Sequence, residues 1–127
     1  MLNERIQKIS ELWKASSRRV DGDLVGELRS LREELGDHFH EEEVGGCLDE
    51  AVARKPSLGK EFDRLQLEHP RLLQDIDRLI EGMEKGRLSD NQKKAITSEF
   101  SRFIDRLQRH GMAEEQILEE GFGVYSA

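Results

Sequence analysis

Hydrophobic residues recur along the chain at alternating steps of three and four, the spacing of a helix face turned toward a core. Four such stripes follow one another and predict four helices. The stripes consist of Leu2, Ile6, Ile9, Trp13, Ser16 and Val20; of Leu24, Leu28, Leu31 and Leu35; of Leu58, Phe62, Leu65, Leu72 or Leu73, Ile76, Leu79 or Ile80, and Met83; and of Ile96, Phe100, Phe103, Leu107 and Ile117. Because helices joined by short turns pack as antiparallel neighbours, the pattern predicts an all-α fold, an up-down-up-down four-helix bundle.

Helix-breaking residues separate the first three stripes. Gly22 is predicted to end the first helix, and the carboxylate of Asp23 can cap the second. The second helix is expected to run on until the residues before Pro56, because proline disfavours helical conformation in the residue before it. Ser57 is then the predicted N-cap of the third helix.

Similar signals mark the later boundaries. Pro70 is an irregularity inside the third stripe that could kink the helix. Gly86 is predicted to follow this helix, with Ser89 or Asp90 as the cap of the fourth. The last residues, 121–127, are expected to fray.

Five ionisable residues occupy positions that continue the apolar stripes. His38 and Glu42 continue the second stripe, His69 takes a leucine position in the third, and His110 and Glu114 lie in the fourth. Side chains four residues apart on a helix lie on one face, so each HxxxE pair can direct both groups to one ion. Glu42 and His69 lie nearly equally far from the turn between their helices, which places them at one height in the bundle.

Carboxylates inside a core need compensation. An unpaired buried carboxylate costs several kcal/mol, and the stripes contain no basic residue that could balance two of them. A cation would do so, and mixed imidazole and carboxylate ligands suit iron, manganese or zinc. The alternative is a metal-free polar network, or side chains that face water at a loose end of the bundle.

The neighbouring residues carry weaker signals. His40, Glu41 and Glu43 are predicted to form a solvated face, although Glu43 lies next to the stripe and could support a ligand from outside. Gly45 and Gly46 suggest either close helix approach or access to the site. The chain contains a single cysteine, which excludes an internal disulfide and a cysteine-rich zinc site.

Length and charge narrow the class of protein. The 127 residues fit one domain spanning residues 1–127. A net charge of -7 argues against nucleic acid or an anionic membrane as the main partner, because both would repel the protein. The charged N-terminus does not match a signal peptide, and no apolar run is long enough to cross a bilayer, so we expect a cytoplasmic protein.

Three segments resemble the hemerythrin-like family in its bacterial, histidine- and glutamate-rich (HHE) form. They are HFHEEEVGGCLDEAV at residues 38–52, LEHPRLLQDIDRL at 67–79 and RLQRHGMAEEQILEEGF at 106–122. The resemblance implies a non-haem di-iron centre inside the bundle that binds or senses dioxygen or handles iron. Carried over residue by residue, it implies that the ligands are His38, Glu42, His69, His110 and Glu114, with the two glutamates bridging.

The chain departs from the family pattern at two positions. The family places a histidine on the first helix, and the region from Ile6 to Trp13 contains none. A second histidine is frequent on the third helix, where this chain has Leu73. The remaining five ligands could hold one ion, and a second would need water or help from Ser16, Glu11 or Glu43.

The leading hypothesis is therefore a binding protein for one or two non-haem iron ions, used in oxygen or redox sensing or in iron handling. Manganese or zinc would suit the same ligands. We do not expect an enzyme, because nothing in the sequence marks a substrate pocket or a proton relay. The alternative hypothesis is a metal-free bundle that acts as a protein-interaction or regulatory module, with a protein partner that the sequence does not identify.

Overall fold

The computed structural model describes residues 2–16, 20 and 22–123, with only the backbone of residues 2 and 3. Within these ranges, four long helices confirm the predicted all-α bundle. The helices are α1 (Leu2–Ala15), α2 (Gly22–Glu43), a short α3 (Cys47–Arg54), α4 (Gly59–Glu84) and α5 (Asp90–Phe122), with a 3-10 turn at Pro56–Leu58. The predicted fraying falls mostly on residues 124–127, which lie outside the described residues, as does Asp21 in the first turn.

The second helix ends earlier than predicted. It stops at Glu43, and α3 begins at Cys47 after a break that contains Gly45 and Gly46. Gly45 has a φ of 105°, a left-handed backbone conformation that residues with a Cβ rarely adopt. The break turns α3 away from the line of α2, and α3 packs against α5 instead.

Two predicted caps are also wrong. The second helix already includes Gly22, so Asp23 lies within its first turn and not at the N-cap. Ser57 lies in the 3-10 turn, and the N-cap of α4 is Leu58, whose side chain makes no capping hydrogen bond. The 3-10 turn at Pro56–Leu58 therefore moves the N-cap of α4 by one residue, from the predicted Ser57 to Leu58.

Other boundary predictions agree with the structure. Ser89 caps α5, and its hydroxyl accepts a hydrogen bond from Gln92 N while the Gln92 side chain accepts one from Ser89 N. Helix α4 continues through Pro70.

The predicted end of the first helix is wrong. The helix ends at Ala15 and does not extend to Gly22, yet Val20 is still buried at 8% exposure.

Two apolar clusters form the core. The larger draws side chains from α1, α2, α4 and α5, and the smaller draws on α3, the 3-10 turn, α4 and α5. Along α4, Leu65 belongs to the smaller cluster and Leu72 to the larger one, and His69 lies between them. His69 and His110 are only 1% and 2% exposed. We refer to the polar side chains at this level, Glu42, His69, His110 and Glu114, as the polar layer.

Specific contacts fix the ends of the bundle around this layer. The indole Nε1 of Trp13 on α1 donates a hydrogen bond to Thr97 Oγ1 on α5 at 3.0 Å. At the other end, a Cβ added to Gly121 would lie 2.5 Å from the Ala51 Cβ, so α3 and α5 approach as closely as glycine allows. None of the described helices is both long and apolar enough to cross a membrane.

Candidate metal centre

The polar layer brings together four of the five residues predicted from the sequence. Glu42 comes from α2, His69 from α4, and His110 and Glu114 from α5. One nitrogen or oxygen atom from each lies within 4.8 Å of the others. His69 Nε2 is 3.7 Å from Glu42 Oε2, and His110 Nε2 is 3.6 Å from Glu114 Oε1. Three helices therefore converge on one small volume with two imidazoles and two carboxylates.

The fifth predicted residue, His38, is not on the buried line. Its side chain is 47% exposed, and Phe39 takes the buried position at 2% exposure. His38 Nε2 nevertheless lies 2.8 Å from Glu42 Oε1 and 3.9 Å from Glu114 Oε1. His38 therefore lies at the rim of the layer, in contact with both carboxylates and with solvent.

Phe39 fixes the two buried imidazoles. Its ring stacks on that of His69 with 4.0 Å between centroids and 3° between planes. It meets His110 edge-on at 5.5 Å. Such contacts between rings restrict rotation and exclude water from the side of the layer that faces the larger cluster.

Carboxylates outside the layer orient the histidines. Glu43 Oε1 lies 3.0 Å from His69 Nδ1, and Glu68 Oε1 lies 2.9 Å from His110 Nδ1. Because an ionised carboxylate only accepts hydrogen bonds, each Nδ1 is the donor in its contact, and Nε2 is the ring nitrogen that remains to face the layer. Sequence reasoning suggested Glu43 for this role and missed Glu68, whose only signal is its position beside His69 at the edge of the stripe.

The layer contains buried polar atoms that lack hydrogen-bond partners. In the described part of the chain these are Glu114 Oε2 and the Nε2 atoms of His69 and His110. Glu42 Oε1 is buried as well, and His38 Nε2 lies 2.8 Å from it. An unsatisfied buried group costs about 1–3 kcal/mol, so several in one place call for a compensating ligand. A cation bound by two imidazole nitrogens and two carboxylate oxygens would satisfy all four residues. The donor set fits iron, manganese or zinc.

Burial and mutual contact shift the protonation of this group. Burial raises the pKa of the Glu114 carboxyl to about 7. Burial acts in the same direction on Glu42, but contacts with His38 and Glu114 outweigh it and lower the Glu42 pKa. Contacts with Glu114 and Glu42 raise the pKa of His38 to about 10, whereas burial lowers that of His110. His38 is thus the internal counter-charge for the carboxylates when no cation is bound.

Helix α1 contributes an apolar side chain to the site. Ile6 lines an open cleft of about 360 Å³ together with members of the polar layer. Two residues considered as additional ligands make other contacts. The Oγ of Ser16, just after α1, donates to the Leu12 carbonyl at 2.8 Å, and Glu11 on α1 accepts from Gln7 at 3.4 Å. Leu73 packs against the larger cluster. The described residues of α1 therefore add no donor to the centre.

A second cleft connects the layer with solvent at the break between α2 and α3. It has a volume of about 580 Å³, and Gly45, Cys47, Leu48 and Leu118 line it together with carboxylates of the layer. His38, Glu41 and Glu115 also line this cleft, but most of its exposed lining surface is apolar, and Gly45 adds no side chain. A small uncharged molecule could therefore reach the site by this route.

A helical bundle whose interior carries histidines and glutamates from several helices belongs to the class of proteins with a carboxylate–histidine metal site. The chain matches the hemerythrin HHE cation-binding domain over residues 1–121 and belongs to this family. Among curated proteins and solved structures, none matches the chain. The family and the histidine–glutamate cluster together support metal binding.

Proposed function

We propose that this protein binds one non-haem iron ion in the polar layer, in the cytoplasm, for oxygen or redox sensing or for iron handling. The ligands would be Glu42, His69, His110 and Glu114, with His38 as a further donor at the rim. One observation carries the proposal: Glu42, His69, His110 and Glu114, from three helices, bring one nitrogen or oxygen atom each within 4.8 Å of one another. Among the described residues, both histidines and Glu114 also hold buried polar atoms without a hydrogen-bond partner.

The donor set supports one ion better than two. Two carboxylates neutralise one divalent cation, and paired metal ions about 3.5–4 Å apart each require their own ligands. The α1 side of the site presents Ile6, which cannot coordinate a metal. Iron is our first choice because of the resemblance to hemerythrin-like proteins, and manganese and zinc would compete for the same nitrogen and oxygen atoms.

The surrounding residues support a binding role. A bound iron ion would supply a redox-active centre that interacts with small molecules such as dioxygen. Glu43 and Glu68 hold the two imidazoles with Nε2 toward the layer, and Phe39 shields them from water. The cleft at Gly45 would give a small ligand access to this centre, and we propose that the protein binds and senses such a ligand.

Metal content tests this proposal directly. The protein is reconstituted with ferrous iron without oxygen, desalted and analysed for iron per chain, with a near-ultraviolet spectrum before and after exposure to air. We expect one ion per chain in the wild type and almost none in His110→Ala. His40→Ala is the matched control, because His40 is an exposed histidine that lies outside the layer.

Two results would contradict the proposal. A wild-type protein that retains no metal after reconstitution would refute the metal site. Full loading of His110→Ala with iron would refute the assignment of His110 as a ligand. A content of two ions per chain would refute the binding of a single ion but would agree with a metal site in the polar layer.

A second candidate function is the metal-free interaction module. It is favoured by the contacts of His38 with Glu42 and Glu114, at 2.8 Å and 3.9 Å, because a protonated His38 can balance the layer without a cation. If this function is correct, Glu114→Ala should leave the melting temperature unchanged or raise it, because burial opposes the ionised form of this carboxyl, and iron should have no effect on the wild type. If metal binds, the same substitution should abolish loading and the stabilisation by iron.

A further inference from the structure

A row of arginines lines the groove between α4 and α5, outside the polar layer. We call it the arginine groove, and its basic residues are Arg64, Arg71, Arg78, Arg102, Arg106 and Arg109. Three acidic residues, Glu68, Asp75 and Glu99, line the same groove, so basic side chains outnumber acidic ones there two to one. The protein as a whole carries a net charge of -7, and this face therefore has the opposite sign. A concentration of six guanidinium groups on an acidic protein requires a physical explanation.

The arginines are arranged in register. On α4, Arg64, Arg71 and Arg78 are seven residues apart, two helical turns, and span about 21 Å. On α5, the steps of four and three from Arg102 to Arg109 keep these side chains on one face. Arg106 donates to Asp75 at 2.9 Å, which aligns the two rows across the groove.

Half of these arginines form no ion pair with any residue that the structure describes. Arg64, Arg106 and Arg109 each contact a carboxylate within the protein. Among the residues that the structure describes, Arg71, Arg78 and Arg102 are exposed and have no such partner; all three line the same cavity of about 540 Å³. These three guanidinium groups are free to bind an external anion.

An exposed apolar residue lies in the same groove. Leu67 lies on α4 between Arg64 and Arg71, lines the groove with them, and is 79% exposed. Protein interfaces are enriched in arginine around apolar contacts. The combination of arginines with an exposed leucine therefore suits a protein surface better than a phosphate group, which offers no apolar contact.

We propose that the arginine groove docks an acidic helical segment of a partner protein. A groove between two antiparallel helices accepts a third helix, and carboxylates repeated every seven residues on that helix would match the spacing on α4. Arginine binds carboxylates through two parallel hydrogen bonds, which gives such a contact direction as well as charge. A row of about 21 Å exceeds one phosphate group and suits a helix of several turns.

The probe is a fluorescein-labelled helical peptide of about 20 residues with glutamates in successive heptads around a central leucine. Fluorescence anisotropy at low salt should show saturable binding to the full-length protein. The double variant Arg71→Glu with Arg102→Glu should weaken this binding at least about tenfold, since each substitution places like charges together. Leu67→Ala should weaken it by a smaller factor.

The control is Arg87→Glu with Lys94→Glu, which changes the net charge equally at exposed positions outside the lining of the groove. It should change binding less than about twofold. The proposal is overturned if the wild type does not bind the peptide, if the control variant weakens binding as much as the groove variant, or if inorganic tripolyphosphate binds in the groove and the peptide does not. Circular dichroism verifies that both variants fold.

Discussion

Replacing Glu114 with glutamine should change stability in opposite directions with and without metal. Burial raises the pKa of this carboxyl from 4.5 to about 7. Below about pH 4.5 both the folded and unfolded carboxyl carry a proton, and as the pH rises toward 7 only the unfolded one ionises, so folding loses stability. At about 1.4 kcal/mol for each unit of pKa, the loss is of the order of 3 kcal/mol above pH 7.

Glutamine is neutral at every pH and does not incur this loss. Metal-free Glu114→Gln should therefore be about 3 kcal/mol more stable than the wild type at about pH 8 and nearly equal to it at about pH 4.5. With iron the order should reverse. An ion present at a thousand times its dissociation constant stabilises the folded state by about 4 kcal/mol, and the variant loses a ligand and most of this gain.

Urea denaturation measures both effects, with a chelator at the two pH values and with ferrous iron under nitrogen at the higher one. Glu115→Gln is the matched control, because it makes the same chemical change at the next, exposed residue of α5. A metal-free Glu114→Gln protein that is less stable at the higher pH would refute the argument that burial opposes ionisation of this carboxyl more strongly than His38 favours it. Equal stabilisation of variant and wild type by iron would refute its role as a ligand.

Three further predictions follow from particular contacts. Glu68→Gln should lower iron affinity about 10–100-fold, measured by competition with a chelator, because it weakens the hydrogen bond that orients His110. The pKa of His38 is raised to about 10, so its contribution to the stability of the metal-free protein is complete below the unfolded pKa near 6.5. This contribution should disappear as the pH rises through 10. Chemical denaturation should show the loss in the wild type and not in His38→Ala. Gly121→Ala should destabilise the protein by about 1–3 kcal/mol in the same assay, because its Cβ would lie 2.5 Å from that of Ala51; an unchanged midpoint would contradict the close approach of α3 and α5.

The order and type of the long helices were predictable because leucine, isoleucine and phenylalanine recur with helical period in each of them. The break before α3 was not. The residues from Cys47 to Arg54 have helical periodicity of their own, so the pattern predicts that they continue α2. The Gly45–Gly46 pair signals an interruption, but only the structure shows that α3 finds a packing surface on α5.

The assignment of His38 to the core shows a limit of periodicity. At about 100° per residue, positions 38 and 39 lie roughly equally far to either side of the centre of the α2 stripe, whereas Glu42 lies close to the centre. Helical geometry alone therefore could not choose between His38 and Phe39. The hydrophobic effect chooses Phe39, and His38 remains at the rim.

Contacts between distant segments were the least predictable part of the site. Glu42, His69, His110 and Glu114 were identified from the residue types on the core stripes alone. The partnership of Glu68 with His110 depends on how α4 and α5 align, a long-range property that no local pattern contains.

The position of the polar layer between two apolar clusters also determines how the helices can align. Sliding α4 along α5 by one turn, about 5.4 Å, would move His69 and His110 against leucine side chains and separate them from Glu43 and Glu68. Every such shifted arrangement would strand charged groups in hydrocarbon, so competing packings of these helices are penalised. The polar layer therefore selects one alignment of α4 against α5, in addition to supplying atoms that can bind a metal. This selection of one alignment would persist even in a relative that did not bind an ion.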